Sequence, residues 1–483
     1  MNIVFAAAES VPFTKVGGLA DVVGTLTVEL HRMGHRVKLL LPHHGAIDDE
    51  RHGIEQIDSF KMPWHGGEAE VSVGHTTSSG VPVYLLRCWP YFTPGETFVY
   101  SDDEGIDVGR FLFFSSAALA FTSRLANEEH WQPDLFHVHD WHTGLIPYLL
   151  RRVYYADDVL SRAAVLLTIH NMKYQGWGVG WHLHEAGLPP VDHSLLHAMD
   201  KTNNSLAVGL AYSTALNTVS PRYAQEIKEE SGGYGLDGLL EARQAHLSGI
   251  LNGIDTDRWN PTDSDAVPEP FDGATLEARA ASKRALQERL RLPVRDDLPI
   301  IGTVIRLVDQ KGPGILVPAM WRLLRHAHMQ FVLLGTGFYH HENAAWKLGD
   351  AFREKARVVL AFDEELAELI YAGSDMFLMP SLFEPCGIGQ MIAMRYGSIP
   401  IVREVGGLAD TVTPDIGFLF RDFNPGALEW TIGQALHAWY NDPDGWRERQ
   451  ELAMARDFGW RRSAEQYVSL YQDTIDIHRR YTG

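Results

Sequence analysis

The same six residues, VGGLAD, occur once in each half of the chain, and this repeat constrains the fold more than any other feature. The first copy is residues 16–21 and the second is residues 405–410. Each copy follows an apolar, strand-like run and carries the glycines of a tight turn. Two similar α/β domains that face each other across a cleft are the economical explanation.

Length and charge agree with two domains and narrow the range of partners. A chain of 483 residues is too long for one compact core. The formal net charge of −20 argues against nucleic acid and against an anionic membrane surface as partners. A neutral polymer would suit this charge.

Cysteine usage and the N-terminus indicate the compartment. The two cysteines, Cys88 and Cys386, provide no disulfide framework, which favours a reducing compartment. Apolar runs of membrane length are not expected, and strand-like residues begin at Asn2, so no targeting segment is predicted. We therefore expect a cytoplasmic protein, although a plastid stromal protein without its transit peptide would have the same features.

The first VGGLAD copy lies in a predicted βαβ unit. Residues 2–9 form a strand, residues 22–33 have helical spacing, and residues 37–41 form a second strand. Amides at a helix N-terminus bind phosphate through hydrogen bonds and the helix dipole, and Lys15 adds a positive charge. Because the full GxGxxG fingerprint is missing, these residues alone give only a weak dinucleotide prediction. The following stretch is less regular, with short strands predicted around residues 71–73 and 81–86.

The second VGGLAD copy closes the stretch from 381 to 410. A buried strand is predicted before it, and Glu384 lies in the FEPCG turn at the carboxyl end of that strand, where open α/β sheets bind ligands. A helix, another strand and Gly406-Gly407 follow. A carboxylate on one turn and bare amides on the next could face a polyol and a phosphate together.

Two cations occupy another predicted strand-to-helix turn. Arg306 and Lys311 follow the buried strand 299–305. They could bind a phosphate or diphosphate group and neutralise negative charge that develops on it.

Histidines are concentrated after two strands of the first half. The segment HVHDWH, residues 137–142, has three, but alternate strand residues point to opposite faces and no clustered acid or cysteine completes a metal site. We therefore predict no metal there. His170 follows strand 165–169, and on its own it favours a satisfied core histidine.

These motifs together resemble the family of bacterial glycogen synthases and plant starch synthases. KVGGLADVVG, HVHDWHT, the His170-Asn171 block, NGID, RLVDQKG and FEPCG occur in the family's order between residue 2 and about residue 471. The chain departs from the family pattern at Val16, Gly389, Ile392 and residues 404–405. The departures at residues 389 and 404–405 border the donor site, so they bear on nucleotide preference rather than on the reaction.

The resemblance implies an α/β GT-B glycosyltransferase fold, with two Rossmann-like domains facing each other across a deep cleft. The expected domains are an acceptor-side domain over residues 1–245, a nucleotide-sugar domain over 246–457, and a helix over 458–483 that returns to the first domain. The implied activity is that of an ADP-glucose:α-1,4-glucan 4-α-D-glucosyltransferase. Such an enzyme extends glycogen or another α-1,4-glucan at a non-reducing 4-hydroxyl, retains the anomeric configuration and releases ADP.

The resemblance also assigns site residues. The residues expected to be catalytic are Glu384, Asp140, His170, Arg306 and Lys311. The residues expected to bind the donor are Lys15, Gly18, Cys386, Gly387, Gly406 and Gly407. No metal or organic cofactor is needed if the two cations act in place of a metal ion.

Several alternatives stay open at this point. Retention could use a carboxylate nucleophile in a double displacement, or attack on the same face through an ion pair with the departing phosphate as base. UDP-glucose could replace ADP-glucose. Another glucosyltransferase making sucrose or a maltosyl phosphate, a phosphorylase with pyridoxal phosphate, and a non-catalytic glucan-binding subunit are the alternative functions. The last should have lost the site residues that this chain retains.

Overall fold

The computed structural model describes residues 1–482, with side chains through Tyr481. Contacts divide the chain into two compact units. The first unit contains Met1–Val219, Ala224–Ile250 and the chain from Trp460 onward, and the second contains Ser220–Tyr223 and Leu251–Gly459. Each unit is built around a largely or wholly parallel sheet covered by helices.

The first unit has a nine-stranded sheet in the order β3-β4-β5-β2-β1-β6-β7-β8-β9. Pairing is antiparallel only between β3 and β4 and between β4 and β5. The strands are β1 (Asn2–Ala6), β2 (Arg36–Pro42), β3 (Glu55–Trp64), β4 (Gly67–Ser78), β5 (Val81–Arg87), β6 (Leu135–His139), β7 (Ala164–Ile169), β8 (Ala215–Thr218) and β9 (Leu247–Gly249).

Eleven helices belong wholly or partly to this unit within the described residues, and α8 spans the division between the units. They are α1 (Gly18–Arg32), α2 (Asp49–His52), α3 (Glu104–Glu129), α4 (Ile146–Arg152), α5 (Val179–Glu185), α6 (Ser194–Ala198), α7 (Ser205–Tyr212), α8 (Pro221–Glu226), α9 (Glu230–Gly233), α10 (Asp237–Ala242) and α19 (Trp460–Thr482).

The first sheet contains one strand more than the sequence pattern predicts between residues 45 and 110, and its strands there are longer. The sequence predicts two short strands between residues 45 and 110, whereas β3, β4 and β5 form an extended meander there. The first five residues of β3 are mostly exposed and carry no apolar alternation, whereas Phe60, Met62 and Trp64 in its second half do alternate with exposed residues, a strand signal that the prediction missed. The meander pairs with the parallel part of the sheet through β5 and β2.

Helix α3 corrects one sequence-based expectation. With 26 residues, it is long and apolar enough to cross a membrane, whereas no such run was expected. In this structure 83% of its most apolar stretch is buried inside the protein. A buried ion pair, Arg110 Nη1 to Asp107 Oδ1 at 2.7 Å, lies near its start.

The C-terminal helix α19 is part of the first unit's core. Tyr467 and Tyr471 lie in the same buried cluster as Ile3 and Phe5 of β1. Their hydroxyls also reach the sheet: Tyr471 Oη lies 2.8 Å from His137 Nδ1, and Asn217 Nδ2 donates to Tyr467 Oη at 3.0 Å. The last helix of the chain therefore contacts both apolar and polar groups of the first sheet.

The second unit has a six-stranded, fully parallel sheet in the order β12-β11-β10-β13-β14-β15. Its strands are β10 (Ile300–Val304), β11 (Gln330–Leu334), β12 (Ala356–Val359), β13 (Met376–Met379), β14 (Ile399–Arg403) and β15 (Phe418–Phe420). Its helices are α11 (Arg279–Arg289), α12 (Pro313–His326), α13 (Tyr339–Ala351), α14 (Glu364–Gly373), α15 (Gly389–Arg395), α16 (Gly406–Thr411), α17 (Pro425–Asn441) and α18 (Pro443–Met454).

Both sheets have a topological switch point, where the direction of strand addition reverses. In the first sheet it lies between β1 and β6, and in the second it lies between β10 and β13. Open α/β sheets bind ligands at the carboxyl ends of the strands beside such a point. The site residues expected from the sequence follow these four strands or their neighbours β7 and β14.

Candidate active site

The first unit brings four expected residues to its switch point. Lys15 and Gly18 follow β1, Asp140 follows β6, and His170 follows β7. β6 pairs in parallel with both β1 and β7, so the carboxyl ends of the three strands meet at one edge. We call Glu9, Tyr100, His139, Asp140 and His170 the Asp140 cluster.

Asp140 has an unusual backbone conformation that the neighbouring strand stabilises. Its φ is +54°, in the left-handed region that non-glycine residues rarely adopt. Its N–H donates to the carbonyl of Thr168 at 2.9 Å, and its carboxylate accepts from the backbone N–H of His170 at 2.6 Å. The left-handed turn thus places the carboxylate across the end of β7.

Burial weakens the acidity of Asp140. The side chain is buried, and desolvation raises its pKa to about 7 despite the backbone donors that oppose this rise. The negative charge of Glu9 raises it further. At neutral pH the two charge states of this carboxyl are therefore close in free energy.

His170 is held by a second histidine. His170 Nε2 lies 3.0 Å from His139 Nδ1, while His139 Nε2 is buried with no hydrogen-bond partner in the described part of the chain. A buried unpaired N–H costs more than an unpaired acceptor, so His139 Nδ1 donates to His170 and His170 carries its proton on Nδ1. Burial lowers the pKa of His170 to about 3, so the ring is neutral at pH 7.

Glu9 is a residue of this cluster that the sequence analysis did not single out. Its carboxylate accepts from the backbone N–H groups of Val16 and Gly17, the latter at 3.2 Å, and it hydrogen-bonds Tyr100. Burial raises the pKa of Glu9 to about 7. Its place just after β1 was the available signal, but Tyr100 comes from a distant loop that no local pattern connects to it.

The expectation of bare amides before α1 is therefore only partly met. The amides of Val16 and Gly17 are occupied by Glu9, and Lys15 Nζ lies 2.8 Å from Asp21 Oδ1 at the surface. Gly18, the first residue of α1, faces open space, since a side chain there would have no atom within 4 Å. Gly18 is thus an open position of this turn.

The histidines of residues 137–142 have structural partners. His137 lies 2.7 Å from Thr168 Oγ1 through Nε2, and its Nδ1 faces Tyr471. The ring of His142 stacks on Tyr100, with centroids 4.9 Å apart. The histidines therefore support the Asp140 cluster by packing and hydrogen bonding.

The second unit joins the FEPCG turn to the turn after β10. Lys311 Nζ lies 2.6 Å from Glu384 Oε2, and Ser381 Oγ donates to the same oxygen at 2.9 Å. Glu384 is only 4% exposed. We call Arg306, Lys311, Ser381 and Glu384 the Glu384 cluster. Ser381 is a second residue that the sequence analysis did not single out.

The turn after β10 and the FEPCG turn can approach each other because the first of them contains Gly312, which has no side chain. Gly312 has φ of +76°, and a Cβ on it would lie 2.0 Å from the carbonyl oxygen of Pro380. A backbone hydrogen bond also joins the two turns: Leu382 N–H donates to the Gln310 carbonyl at 2.8 Å. Arg306 projects from the same turn, is exposed, and has no ion-pair partner among the residues that the structure describes.

Cys386 and Gly387 shape the turn after Glu384. Cys386 is buried, and burial raises the pKa of its thiol to about 12, so it is protonated at neutral pH. Gly387 has φ of +72°, and a Cβ on it would lie 2.6 Å from Gln390 Oε1. These positions fix backbone geometry beside Glu384.

The prediction of bare amides at the second glycine pair is wrong for Gly407. Its N–H donates to the carbonyls of Glu384 and Pro385, at 3.1 and 3.2 Å. A Cβ on Gly406 would lie 1.9 Å from the Glu384 carbonyl, and one on Gly407 would lie 2.2 Å from that of Cys386. The two glycines therefore let α16 pack directly against the FEPCG turn, a tertiary contact that the sequence pattern does not contain.

Fold and site together define a GT-B glycosyltransferase, with two Rossmann-like domains and charged residues at both switch points. Known proteins narrow this class. A family described as "Starch synthase catalytic domain" matches residues 2–242, and "Glycosyl transferases group 1" matches residues 286–452. The chain belongs to the glycogen and starch synthase family, whose members are glucosyltransferases that use a nucleotide-sugar donor and a glucan acceptor.

Relatives match over the whole chain. A glycogen synthase from Syntrophotalea carbinolica is 39% identical over 99% of this chain and 100% of its own, and one from Streptococcus sanguinis is 40% identical over 98% and 100%. The catalytic domain of Arabidopsis thaliana starch synthase IV, solved with ADP and acarbose, superposes with a TM-score of 0.88 at 33% identity, over 98% of this chain and 99% of that one. A sucrose-phosphate synthase from Thermosynechococcus elongatus, at 18% identity and a TM-score of 0.62 over 99% and 100% of the two chains, shares the fold.

Proposed function

We propose that this chain transfers glucose from ADP-glucose to the non-reducing 4-hydroxyl of an α-1,4-glucan, retains the anomeric configuration and releases ADP. The observation that carries the proposal is the Glu384 cluster. It combines a buried carboxylate, a lysine paired with it at 2.6 Å, and an exposed arginine on one sheet edge. A sugar diphosphate requires both kinds of group, hydrogen-bond acceptors for hydroxyls and cations for phosphates.

Arg306 and Lys311 are proposed to bind the diphosphate. Arg306 is exposed and unpaired within the described residues, so its planar fork is available to phosphate oxygens. Lys311 remains close enough to Glu384 to contact phosphate and carboxylate together. Fixed positive charge where the leaving group becomes negative lowers the barrier without a metal ion. The transfer is therefore proposed to need no metal and no organic cofactor.

Glu384 is proposed to hold the donor glucose rather than to attack it. One of its oxygens already accepts hydrogen bonds from Lys311 and Ser381, which reduces the nucleophilicity of the carboxylate. Cys386, as a buried neutral thiol, is also a poor nucleophile. Both observations favour attack on the same face of the sugar, with the departing phosphate as base, over a double displacement. Gly387, Gly406 and Gly407 are proposed to hold the turn that presents Glu384 to the donor.

The first unit is proposed to contribute four residues to the same reaction. Lys15 and Gly18 would contact the donor diphosphate, because they lie at the open part of the turn before α1. Asp140 and His170 would contact the transferred glucose. A neutral His170 with its proton on Nδ1 can donate one hydrogen bond to a sugar hydroxyl.

The adenine nucleotide, the acceptor and the compartment are parts of the same proposal. The starch synthase IV structure contains ADP, and the Lys15 motif resembles that of ADP-glucose-dependent enzymes. Glycogen in the cytoplasm is the acceptor and compartment that the bacterial relatives support. The net charge of −20 supports neither nucleic acid nor an anionic membrane as a further partner.

The test is ADP release by purified variants in the presence of ADP-glucose and glycogen. Lys311→Ala and Glu384→Gln should each lower kcat/KM at least a hundredfold, which corresponds to about 3 kcal/mol of transition-state stabilisation. Lys347→Ala removes an exposed lysine of α13 and should leave the rate unchanged. Near-native rates in folded Lys311→Ala and Glu384→Gln proteins would refute the assigned roles.

A further inference from the structure

We propose that Asp309, His340 and His341 bind a divalent transition-metal ion, with Zn²⁺ as the best match. One ligand atom from each of the three residues lies within 4.8 Å of the others. His341 Nε2 is 2.8 Å from Asp309 Oδ1, and the two imidazole rings have centroids 4.0 Å apart. We call these three residues the Asp309 triad.

The triad is preorganised because it joins two neighbouring loops of one sheet. Asp309 follows β10, the histidines begin α13 after β11, and β10 and β11 are paired in parallel. Backbone hydrogen bonds connect the two loops directly: Leu307 N–H donates to Thr336 at 2.8 Å, and Phe338 N–H donates to Leu307 at 2.9 Å. The backbones that carry the ligands are therefore fixed to each other, which favours a preformed metal site.

A glycine permits this approach. A Cβ on Gly337 would lie 2.2 Å from the carbonyl oxygen of Leu307, so any other residue would force the loops apart. The N–H of Gly337 also donates to Glu342 Oε1 at 2.8 Å, which fixes the first turn of α13. The backbone below the histidines is thus held from both sides.

Ligand type decides which metal ion fits. Two imidazoles and a carboxylate match Zn²⁺, Co²⁺ or Ni²⁺, whereas Mg²⁺ and Ca²⁺ prefer oxygen ligands only. Zn–N bonds of about 2.0–2.1 Å place the ligand atoms of a tetrahedral site about 3.3 Å apart. The distance between His341 Nε2 and Asp309 Oδ1 is already below this value, and the side chains of His340 and Asp309 lie at the surface. Water would occupy the fourth position.

Electrostatics acts in both directions at this site. The N-terminus of α13 carries partial positive charge, which opposes a cation. The carboxylate of Asp309 offsets this charge, and the chain as a whole is strongly acidic. Metal–ligand bonds, rather than the field of the protein, must therefore supply the affinity.

The triad is distinct from the groups proposed to perform the transfer. Asp309 belongs to the short 3₁₀ turn Asp309–Lys311, so an ion bound to it would fix α13 to the turn that carries Lys311. No step of the proposed reaction uses this ion. Its expected effect is to stabilise the second unit when the metal is present.

The experiment is a titration of the chelator-stripped full chain with Co²⁺, followed by its visible d–d absorption, and displacement by Zn²⁺. The intact protein should bind one saturable equivalent, and Zn²⁺ should raise its unfolding temperature. The double variant His340→Ala/His341→Ala should bind at least tenfold more weakly and lose the rise in unfolding temperature. The single variant Asp309→Asn should weaken binding as well.

The control is His326→Ala/His328→Ala, which removes two exposed histidines elsewhere in the same unit and should bind like the intact protein. It accounts for background binding by the other histidines of the chain, which has 23 in total. Unfolding temperatures measured in the presence of chelator establish which variants fold. If the double variant does not fold, the single variant His340→Ala takes its place. Equal binding by intact protein and triad variants, or no saturable equivalent at all, would overturn the proposal.

Discussion

Lys311 Nζ lies 2.6 Å from Glu384 Oε2, and the lysine side chain is more exposed than the glutamate side chain, at 17% against 6%. The pair joins the turn after β10 to the turn after β13. Because Ser381 donates to the same carboxylate oxygen, Glu384 is fully engaged on that side. Because Glu384 is the more buried partner, the stability of the fold depends mainly on whether its charge is neutralised.

Removing the lysine should cost more than neutralising both partners. Lys311→Ala leaves a buried carboxylate without its counter-ion, and we expect the free energy of unfolding to fall by about 3 kcal/mol. In Lys311→Ala/Glu384→Gln the carboxylate is gone, so part of the loss should be recovered. Urea unfolding of the intact protein, Lys311→Ala and the double variant measures these free energies of unfolding. A double variant less stable than Lys311→Ala would contradict the buried-charge explanation.

Gly312→Ala and Gly314→Ala form a matched pair at the start of α12, because Gly312 is the N-cap residue and Gly314 lies in the first turn. Gly312 has φ of +76°, and a Cβ would lie 2.0 Å from the Pro380 carbonyl, so alanine should destabilise by at least about 2 kcal/mol. Gly314 lies in α12, where a Cβ would have no atom within 4 Å, and alanine there should be neutral or stabilise by up to about 1 kcal/mol. Thermal unfolding distinguishes them. Equal unfolding temperatures of the two variants would show that the turn after β10 and the FEPCG turn do not approach as described.

Glu9 should make stability depend on pH. Its pKa is about 7 in the folded protein, above its ordinary value of 4.5, so the fold favours the protonated form. The resulting stabilisation is fully present below pH 4.5 and is lost as pH rises through 7, with a slope of up to about 1.4 kcal/mol per pH unit. Glu9→Gln should flatten this dependence, whereas Glu68→Gln, an exposed change on β4, should not.

Asp140 should act in the same direction, because burial raises its pKa to about 7 from an ordinary value of 3.8. Denaturant unfolding between about pH 5 and 8 measures both effects. Stability that increases with pH across this range in the intact protein, and is unchanged by Glu9→Gln, would contradict the assignment of buried, weakly acidic carboxyls.

The hydroxyl of Tyr471 should contribute to the attachment of α19. Tyr471→Phe keeps the ring in the core but leaves the buried His137 Nδ1 without its partner, so we expect a loss of about 1–3 kcal/mol. Tyr481→Phe changes a tyrosine that is 80% exposed and should have no effect. Urea unfolding compares them, and an unchanged midpoint for Tyr471→Phe would show that the hydrogen bond adds nothing.

Local sequence patterns were sufficient to place Lys311 and Glu384 at the ends of buried strands, whereas the roles of the candidate site residues were inferred from the family resemblance. Lys311 and Glu384 each follow an apolar run that is a buried strand in the structure, and the carboxyl edge of a parallel sheet brings such positions together. The α/β class and the parallel sheets follow from the same alternation of apolar runs and helical spacing. These inferences succeed because they depend on residues close in the chain.

Contacts between distant segments could not be predicted in this way. Glu9 occupies the amides before α1, and the amide of Gly407 is bound to Glu384, although both turns have the composition of a phosphate-binding loop. Tyr100 reaches Glu9 from an irregular loop. In each case a tertiary partner satisfies a group that looks free in the sequence, and no local periodicity reports such a partner.

Nucleoside diphosphate release by the intact chain, with and without glycogen and with either ADP-glucose or UDP-glucose, tests the proposed glucosyl transfer most directly. We expect ADP release that requires glycogen, with elongation of the glucan at its non-reducing ends. Release from UDP-glucose alone would keep the site and refute the proposed donor. Glycogen binding without release from either donor would contradict the assigned reaction.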